Sequence, residues 1–443
     1  MTTTRDHLQA LALRDWQAQA LAAWSHAGRG VVEAVTGTGK TRLALAAVRL
    51  IVDRGGRALV LVPTLELQQQ WVRELRHAFA GHRIGMLGGG HDDDLFSSVV
   101  LVSTPHSAAQ LPIDLPPGSA GLLVADEAHR YGAPTWANAL GPQFVFRLAL
   151  TATYERTDDG VTEVLAPYFG DVVFSYGFAQ ARADGTIAPF DIAMAAVELD
   201  DAERAVYDAA DERCRQLHRE LVGGLGMPKD PAGLFAAAAA IVAQADGKHA
   251  AGRQVVACRE YLYATRRRRD AAAQAAAKLT LVGALAPALT GRRTLVFADT
   301  VEQADAVART LSAQALAAET VHGGLDDRRR RIRVAQFRNG KLDALVAPRV
   351  LDEGVDVPDA DVAVVLAAFR TRRQLVQRLG RILRLKSDGR HARLVVVYAA
   401  ATREDPGQGG HRAFLQAVQD SAESVVIWDA AKSLGQLPRW LST

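Results

Sequence analysis

Ala34-Val-Thr-Gly-Thr-Gly-Lys-Thr41 is the stretch on which the fold turns. An apolar run (Val31, Val32, Val35) leads into it, and an apolar, alanine-rich segment from Leu43 to Val48, continuing through Ile51, follows. Strand, glycine-bearing loop, helix is the order in which such a loop cradles the phosphates of a nucleotide. Gly37 and Gly39 let backbone N–H groups turn toward an anion without a Cβ clash. The helix N-terminus adds partial positive charge at the same point. Lys40 is long enough to reach β- and γ-phosphates, and the Thr41 hydroxyl can bind Mg²⁺. Thr36, Gly37, Thr38, Gly39, Lys40 and Thr41 are therefore candidate phosphate-binding residues. Ala34 stands where the general pattern has its first glycine.

The bulk properties frame this loop. A chain of 443 residues has room for roughly two to three domains with sizeable cores. Apolar residues make up 49% and charged residues 23%, an ordinary globular balance that argues against a disordered or fibrous chain. The opening MTTTRDHLQALALRD lacks the basic, apolar, small-residue order of a secretory signal. The longest uninterrupted apolar stretch, Leu234 to Ala243, is mostly alanine and too short to span a bilayer. A cytoplasmic location without a membrane partner is expected. The two cysteines, Cys214 and Cys258, cannot frame a disulfide scaffold. Both lie on helical apolar stripes (Ala210, Cys214, Leu217, Leu221; Val255, Cys258, Leu262), which predicts buried core thiols.

Net charge is +3, but its distribution is uneven: Arg370 to Arg393 holds nine Lys/Arg and one acid, Asp388. Arg328 to Arg331 and Arg266 to Arg269 form further clusters. Each cluster alone fits a solvated helix face as well as a nucleic-acid contact.

From Val31 to about Phe190 short apolar runs alternate with helical stretches: Val31 to Val35, Ala58 to Pro63, Val99 to Ser103, Leu122 to Asp126 and Arg147 to Thr151. Near-continuous apolar strands separated by helices predict a parallel sheet covered on both faces. The pattern resumes with Thr294 to Phe297, Asp343 to Ala347, Val362 to Leu366 and Arg393 to Tyr398. Two α/β units follow, with a helical, Ala/Glu/Arg-rich insert between them at roughly Val197 to Leu285. The insert's middle, Gly223 to Gly252, is expected to be a mobile loop beside a short helix.

Leu122-Leu-Val-Ala-Asp-Glu-Ala-His129 is an apolar run ending in adjacent carboxylates. A buried parallel strand that releases two acids at its C-terminal end sets them in the ligand crevice. Asp126 suits Mg²⁺, held partly through water, and Glu127 suits polarising the attacking water. Leu150-Thr-Ala-Thr153 ends another apolar run beside the same crevice. In the second unit Gln377-Arg-Leu-Gly-Arg-Ile-Leu-Arg384 sets Arg381 and Arg384 three residues apart, on one face if helical. Paired guanidinium groups suit a polyphosphate whose charge grows in the transition state, and an arginine supplied from a second domain is worth ~10³–10⁵ in rate. Val350 to Pro358 is a Gly-centred acidic loop in which Asp356 can accept from ribose hydroxyls.

The ordered set resembles the superfamily 2 DEAH-box helicases, and is most similar to the XPB-type branch of DNA helicases with its bacterial and archaeal relatives. Leu13-Arg-Asp-Trp-Gln17 resembles that group's adenine-reading motif, which implies Gln17 as the adenine contact with Arg14 beside it. The glycine loop and Asp126-Glu-Ala-His129 look like motifs I and II. Leu61-Val-Pro-Thr-Leu-Glu-Leu-Gln68 and Ser103-Thr-Pro105 are similar to the strand-binding motifs Ia and Ib, implying nucleic-acid contacts from Pro63, Thr64, Ser103 and Thr104. Thr151-Ala-Thr153 corresponds to motif III. Leu295-Val-Phe-Ala-Asp-Thr300 and Val321-His-Gly-Gly324 look like backbone contacts of the second domain, through Asp299, Thr300, His322 and Gly323. Val350 to Pro358 and Gln377 to Arg384 match motifs V and VI, implying nucleotide contacts from Gly354, Asp356 and Gln377, and γ-phosphate contacts from Arg381 and Arg384.

The resemblance covers about residues 13–190 and 290–400. It implies an α/β fold of two RecA-like parallel-sheet domains in tandem: 1–195 binding ATP, a thumb-like helical insert at 196–288, and 289–443 as the second domain. It also implies ATP and Mg²⁺, single-stranded or forked duplex DNA as partner, 3′-to-5′ movement, and a place in DNA repair or processing. The residues by themselves leave open an RNA-directed ATPase and a non-unwinding clamp on duplex DNA. The chain departs from the family where XPB relatives carry Arg-Glu-Asp and it reads Arg156-Thr-Asp158. With only 12 residues before the adenine motif, the family's N-terminal damage-recognition domain is not expected here, nor is a nuclease or zinc motif after the core.

Overall fold

The computed structural model describes residues 12–156, 158–245, 252–348, 360–366, 383 and 389–442. Its first domain is an eight-stranded sheet: β1 (Arg29–Ala34), β2 (Arg57–Leu61), β3 (Ile84–Gly88), β4 (His91–Asp92), β5 (Val100–Ser103), β6 (Gly121–Asp126), β7 (Phe146–Thr151) and β8 (Val172–Tyr176). The spatial order is β4-β3-β5-β2-β6-β7-β1-β8. Every pairing is parallel except the short β3–β4 hairpin. Apolar side chains of β2, β5 and β6 are buried on both faces, which explains why their runs do not alternate. The helix Lys40–Val52 covers one face with Leu43, Leu45, Val48 and Ile51, and the helix Asp15–Ala27 packs beside it through Trp16, Leu21 and Trp24.

The second sheet holds β9 (Phe190–Val197), β10 (Thr294–Phe297), β11 (Ala318–Thr320), β12 (Ala344–Ala347), β13 (Val362–Val365), β14 (Ala392–Ala399) and β15 (Ser424–Trp428). Its order is β11-β12-β10-β13-β14-β9-β15, parallel throughout. The expected runs all form strands, with ends shifted by a residue or two. β9 does not lie where a first domain of 1–195 would have it: it pairs with β14 and β15 in the second sheet. Helix Ala276–Leu289 likewise belongs to that domain, burying Leu281, Val282, Leu285 and Leu289 in its core. The insert is thus an excursion within the second domain, made of helices Asp201–Arg219, Pro231–Gln244 and Arg253–Ala273.

Asp200 starts the first insert helix with a reciprocal cap: it accepts from the Glu203 N–H at 2.8 Å, and its own N–H donates to Glu203 Oε2 at 3.1 Å. Arg268 and Asp211 bridge the two longer helices at 2.7 Å. Cys214 and Cys258 sit in the insert's apolar cluster with Leu217, Leu234 and Tyr261, as unpaired buried thiols. Where a loop beside a short helix was expected, Pro231–Gln244 forms 14 helical residues. Asp230 caps it through the Gly233 N–H, and Pro231 starts it without losing a needed donor. The helical stretch Arg253–Leu289 is long and apolar enough to cross a membrane by length and composition alone. Its apolar positions are occupied in the packing just described, Cys258 and Tyr261 in the insert and Leu281 to Leu289 under the second sheet.

One ion pair is wholly interior. Lys278 Nζ donates to Glu404 Oε2 at 2.7 Å and to the Leu366 carbonyl at 2.8 Å, and the Ala399 N–H donates to the same Glu404 oxygen at 3.0 Å. Lys278→Met strands that carboxylate and should destabilise the second domain by about 3–5 kcal/mol. Pairing it with Glu404→Leu should recover most of the loss. Urea titration by circular dichroism checks this, and a wild-type midpoint for Lys278→Met would show that the pair is dispensable.

Candidate active site

The phosphate loop departs from β1 with Gly37 at φ 87° and Gly39 at φ 99°, left-handed values that strain residues bearing a Cβ. A Cβ on Gly39 would also stand 2.8 Å from Gln17 Nε2. Ala34 needs no such freedom, because it is the last residue of β1, in register with Tyr176 of β8. Thr38 is buried and donates from Oγ1 to the Val35 carbonyl at 2.8 Å. Lys40 opens the following helix, and its Nζ donates to the Ala34 carbonyl at 2.7 Å. Burial pulls the Lys40 ammonium below its ordinary value, against the opposing pull of Glu127, Asp126 and Glu33. Thr36 Oγ1 is buried without a hydrogen-bond partner among the described residues.

The adenine-motif residues brace this loop from outside. Arg14 Nη1 donates to the Thr38 carbonyl at 3.1 Å, and Gln17 Nε2 to the Gly39 carbonyl at 2.9 Å. Gln17 Oε1 accepts the Arg14 N–H at 2.9 Å, so both ends of the amide are held by protein. Trp16, between them, stacks on Tyr176 with centroids 4.5 Å apart.

Strand β7 lies between β6 and β1, so Asp126, Thr151 and the phosphate loop emerge along one edge. Asp126 Oδ2 accepts from Trp71 Nε1 at 3.0 Å, and its Oδ1 accepts the Glu127 N–H at 3.0 Å. Burial raises the Asp126 carboxyl, with the Trp71 hydrogen bond and the Lys40 charge pulling it back. Glu127 has φ 51°, an uncommon backbone for a residue with a side chain and of a kind found at functional sites. Thr151 Oγ1 donates its one proton to the Thr153 carbonyl at 2.7 Å. His129 Nδ1, 3.1 Å from that oxygen, must therefore be the donor to it. The same Nδ1 lies 3.6 Å from Glu127 Oε2. A chain of contacts thus runs from the acid pair to the threonines of β7, and sequence reasoning had not given His129 this part. Arg156 Nη1 donates to the His129 carbonyl at 2.5 Å. It also grips Asp158 through two hydrogen bonds that hold the carboxyl down at about 2.

The candidate strand-binding residues divide by exposure. Thr64, Thr104 and Thr300 are each the N-cap of the next helix, accepting from the N–H three residues on. Ser103 is fully buried and donates to the Leu87 and Thr104 carbonyls. The Asp299 side chain is nearly buried, with Arg269 of the insert 3.9 Å away, and its N–H donates to Gln303 Oε1. Pro63, His322 and Gly323 reach the surface. Gly88, Gly89 and Gly90 all have positive φ; Gly88 lies against Ser107 and Thr104 and Gly89 against Leu65, while Gly90 faces open space. Three consecutive glycines were the overlooked sign of a loop pressed onto both strand-binding motifs. Gly354, Asp356, Gln377, Arg381, Arg384 and Thr157 lie outside the described residues; Leu383 is buried and its carbonyl accepts the Ala188 N–H at 2.8 Å.

The family described as "Type III restriction enzyme, res subunit" matches residues 10–156, and "Helicase conserved C-terminal domain" matches 277–386. These two matches, one over each parallel-sheet domain, indicate a superfamily 2 helicase, a class of ATP-hydrolysing, nucleic-acid-dependent enzymes. Within it, the chain is similar to the DNA 3′-5′ translocase XPB2 of Sulfurisphaera tokodaii, 29% identical over 88% of this chain and 82% of the relative. It spans 54% and 55% of the Rad25-named proteins of Haloarcula marismortui and Halobacterium salinarum, which are longer. The fold is shared with the Pyrococcus furiosus Hef helicase domain (TM-score 0.60, 18% identity, 91% of this chain and 99% of that one). It is also shared with Saccharomyces cerevisiae Dbp5 bound to RNA and ADP BeF3 (TM-score 0.60, 14% identity, 99% and 97%).

Trp71→Phe removes the donor that lowers Asp126. Losing one such bond, worth about 0.5–1.5 kcal/mol, should move the acid limb of the kcat–pH profile upward by up to about one pH value. An unmoved limb would dissociate Trp71 from the ionisation of Asp126.

Proposed function

We propose that the chain is an ATP-dependent DNA translocase or helicase that hydrolyses ATP in the cleft between its two sheets and steps along a DNA strand. What supports this most is the common edge shared by the phosphate loop, the acid pair and the Thr151 hydroxyl. Loop amides between Thr36 and Thr41 hold the phosphate tail, with Lys40 leaving the Ala34 carbonyl to meet it. Asp126 and Thr41 would hold Mg²⁺, which when bound draws charge from the phosphate oxygens. One carboxylate plus a hydroxyl suits a cation whose remaining sites go to phosphate and water. Glu127 orients the attacking water, its carboxylate standing 3.6 Å from His129 Nδ1. Arg14 and Gln17 set the loop and read the base. Arg381 and Arg384, with Gly354, Asp356 and Gln377, supply the second domain's side of the nucleotide.

Because the nucleotide bridges two domains, each turnover opens and closes the cleft. The His129–Thr151 bond carries the state of the acid pair to the neighbouring strand. Pro63, Thr64, Ser103 and Thr104 on one domain and Asp299, Thr300, His322 and Gly323 on the other meet the DNA backbone; Ser103 and Asp299 act through main-chain groups, since their side chains are buried. Contacts to phosphate make such binding sequence-tolerant and salt-sensitive.

ATPase rates without polymer and with single-stranded DNA, duplex DNA and RNA, followed by strand displacement, test the reading. DNA stimulation is expected, and stimulation by RNA alone would overturn the DNA assignment. Lys40→Ala should lower kcat at least ~10²-fold, and near-normal turnover would remove Lys40 from the phosphates. In the insert, Arg268 and Arg269 are engaged by Asp211 and Asp270, while Arg266 and Arg267 are exposed beside Tyr263. Replacing Arg266 and Arg267 by serine should reduce the salt slope of DNA binding by about 1–2; an unchanged slope makes them a solvated face.

A further inference from the structure

Tyr176 closes β8 at a junction of three elements. Its carbonyl accepts the Val35 N–H at 3.1 Å, immediately before the phosphate loop. Its ring, almost wholly buried, stacks on Trp16 with 13° between the planes. Trp16 stands between Arg14 and Gln17, the two side chains that hold the Thr38 and Gly39 carbonyls. The Tyr176 hydroxyl donates to Asp184 Oδ2 at 2.9 Å and lies 2.9 Å from Thr186 Oγ1. Asp184 and Thr186 belong to the segment 177–189, the passage from the first sheet to the second.

That segment is tied at its far end to the second domain. Ala188 N–H donates to the Leu383 carbonyl at 2.8 Å, and Arg182 pairs with Glu423, whose N–H donates to Phe190 of β9. Within the segment, the Thr186 and Ile187 N–H groups both donate to the Ala181 carbonyl, so it moves as a unit. Burial pushes the phenol of Tyr176 up to about 12, so its hydroxyl stays protonated at working pH.

We infer that Tyr176 is a positioning residue of the ATPase cycle, its hydroxyl tying the phosphate loop to the linker on which the second domain moves. The inference rests on the reading of the chain as a polymer-stimulated ATPase. When the second domain shifts, Asp184 and Thr186 shift with it, and the hydroxyl passes the displacement to a ring clamped against Trp16 and a carbonyl clamped to Val35. The loop therefore senses domain position through this hydroxyl tie.

Tyr176→Phe keeps the ring and backbone and deletes only the linker tie. It should leave the ATP KM within about twofold while lowering the ratio of DNA-stimulated to basal kcat about fivefold or more. Thr186→Val, which leaves Tyr176 and its bond to Asp184 intact and removes only the second contact, should lower the same ratio in the same direction by a smaller factor. The double variant should be no worse than Tyr176→Phe alone, because that variant already removes both hydroxyl contacts to the linker. Unchanged ratios in both variants, or losses that add, would overturn the proposal even if melting temperature falls. Should no polymer stimulate the wild type, the functional reading fails separately. Basal kcat then decides: a shared, non-additive loss upholds the tie, and unchanged basal rates overturn it.

Discussion

Parallel pairing of β6, β7 and β1 is the constraint from which the rest of the molecule follows. Parallel strands release their chain at the same edge, so anything placed at the C-terminal ends of these three becomes a neighbour. Here those ends carry the acid pair, the threonine pair and the phosphate loop. Buried apolar side chains on both faces prevent the sheet from sliding, since a shifted register would misplace packed residues throughout its length. Chemistry is therefore held by packing far from it.

The site adds local devices to that frame. A glycine loop gains phosphate-facing amides by giving up side chains, and it would be loose without outside support. Arg14 and Gln17 provide this by occupying the carbonyls of Thr38 and Gly39, while Trp16 and Tyr176 form the flat contact behind them. Burial weakens the charge on Lys40 and on Asp126, yet each group favours the other's charged form. Under the proposed function an incoming polyanion would rearrange such a pair by supplying the negative charge that Lys40 now finds in carboxylates.

Linkage between domains is built from ordinary hydrogen bonds. The Lys278–Glu404 pair fixes the end of β13 inside the second domain, and the segment 177–189 grips both domains at once. The insert leaves and re-enters the second domain between β9 and the helix Ala276–Leu289, so it is anchored to that domain rather than to the one that holds the loop.

Much of this was legible in the sequence, for a physical reason: strands buried on both faces must be continuously apolar, and a phosphate loop needs its glycines and lysine at fixed spacing. β1, β2, β5, β6, β7, β10, β12, β13 and β14 announced themselves in that way, and Gly37, Gly39, Lys40, Asp126 and Glu127 marked the sheet edge to which the proposed site is assigned. β3 is interrupted by glycine, β9 is rich in alanine, and β8 and β15 lie at sheet edges with part of their surface in solvent, so their composition did not separate them from loops. Assignment of β9 to the second sheet depends on pairing with β14 and β15, which local pattern cannot encode. The same holds for Gln17 against Gly39, His129 against Thr151 and Tyr176 against Asp184 and Thr186. These contacts join residues distant in the chain, and only the folded arrangement of strands decides which side chains meet.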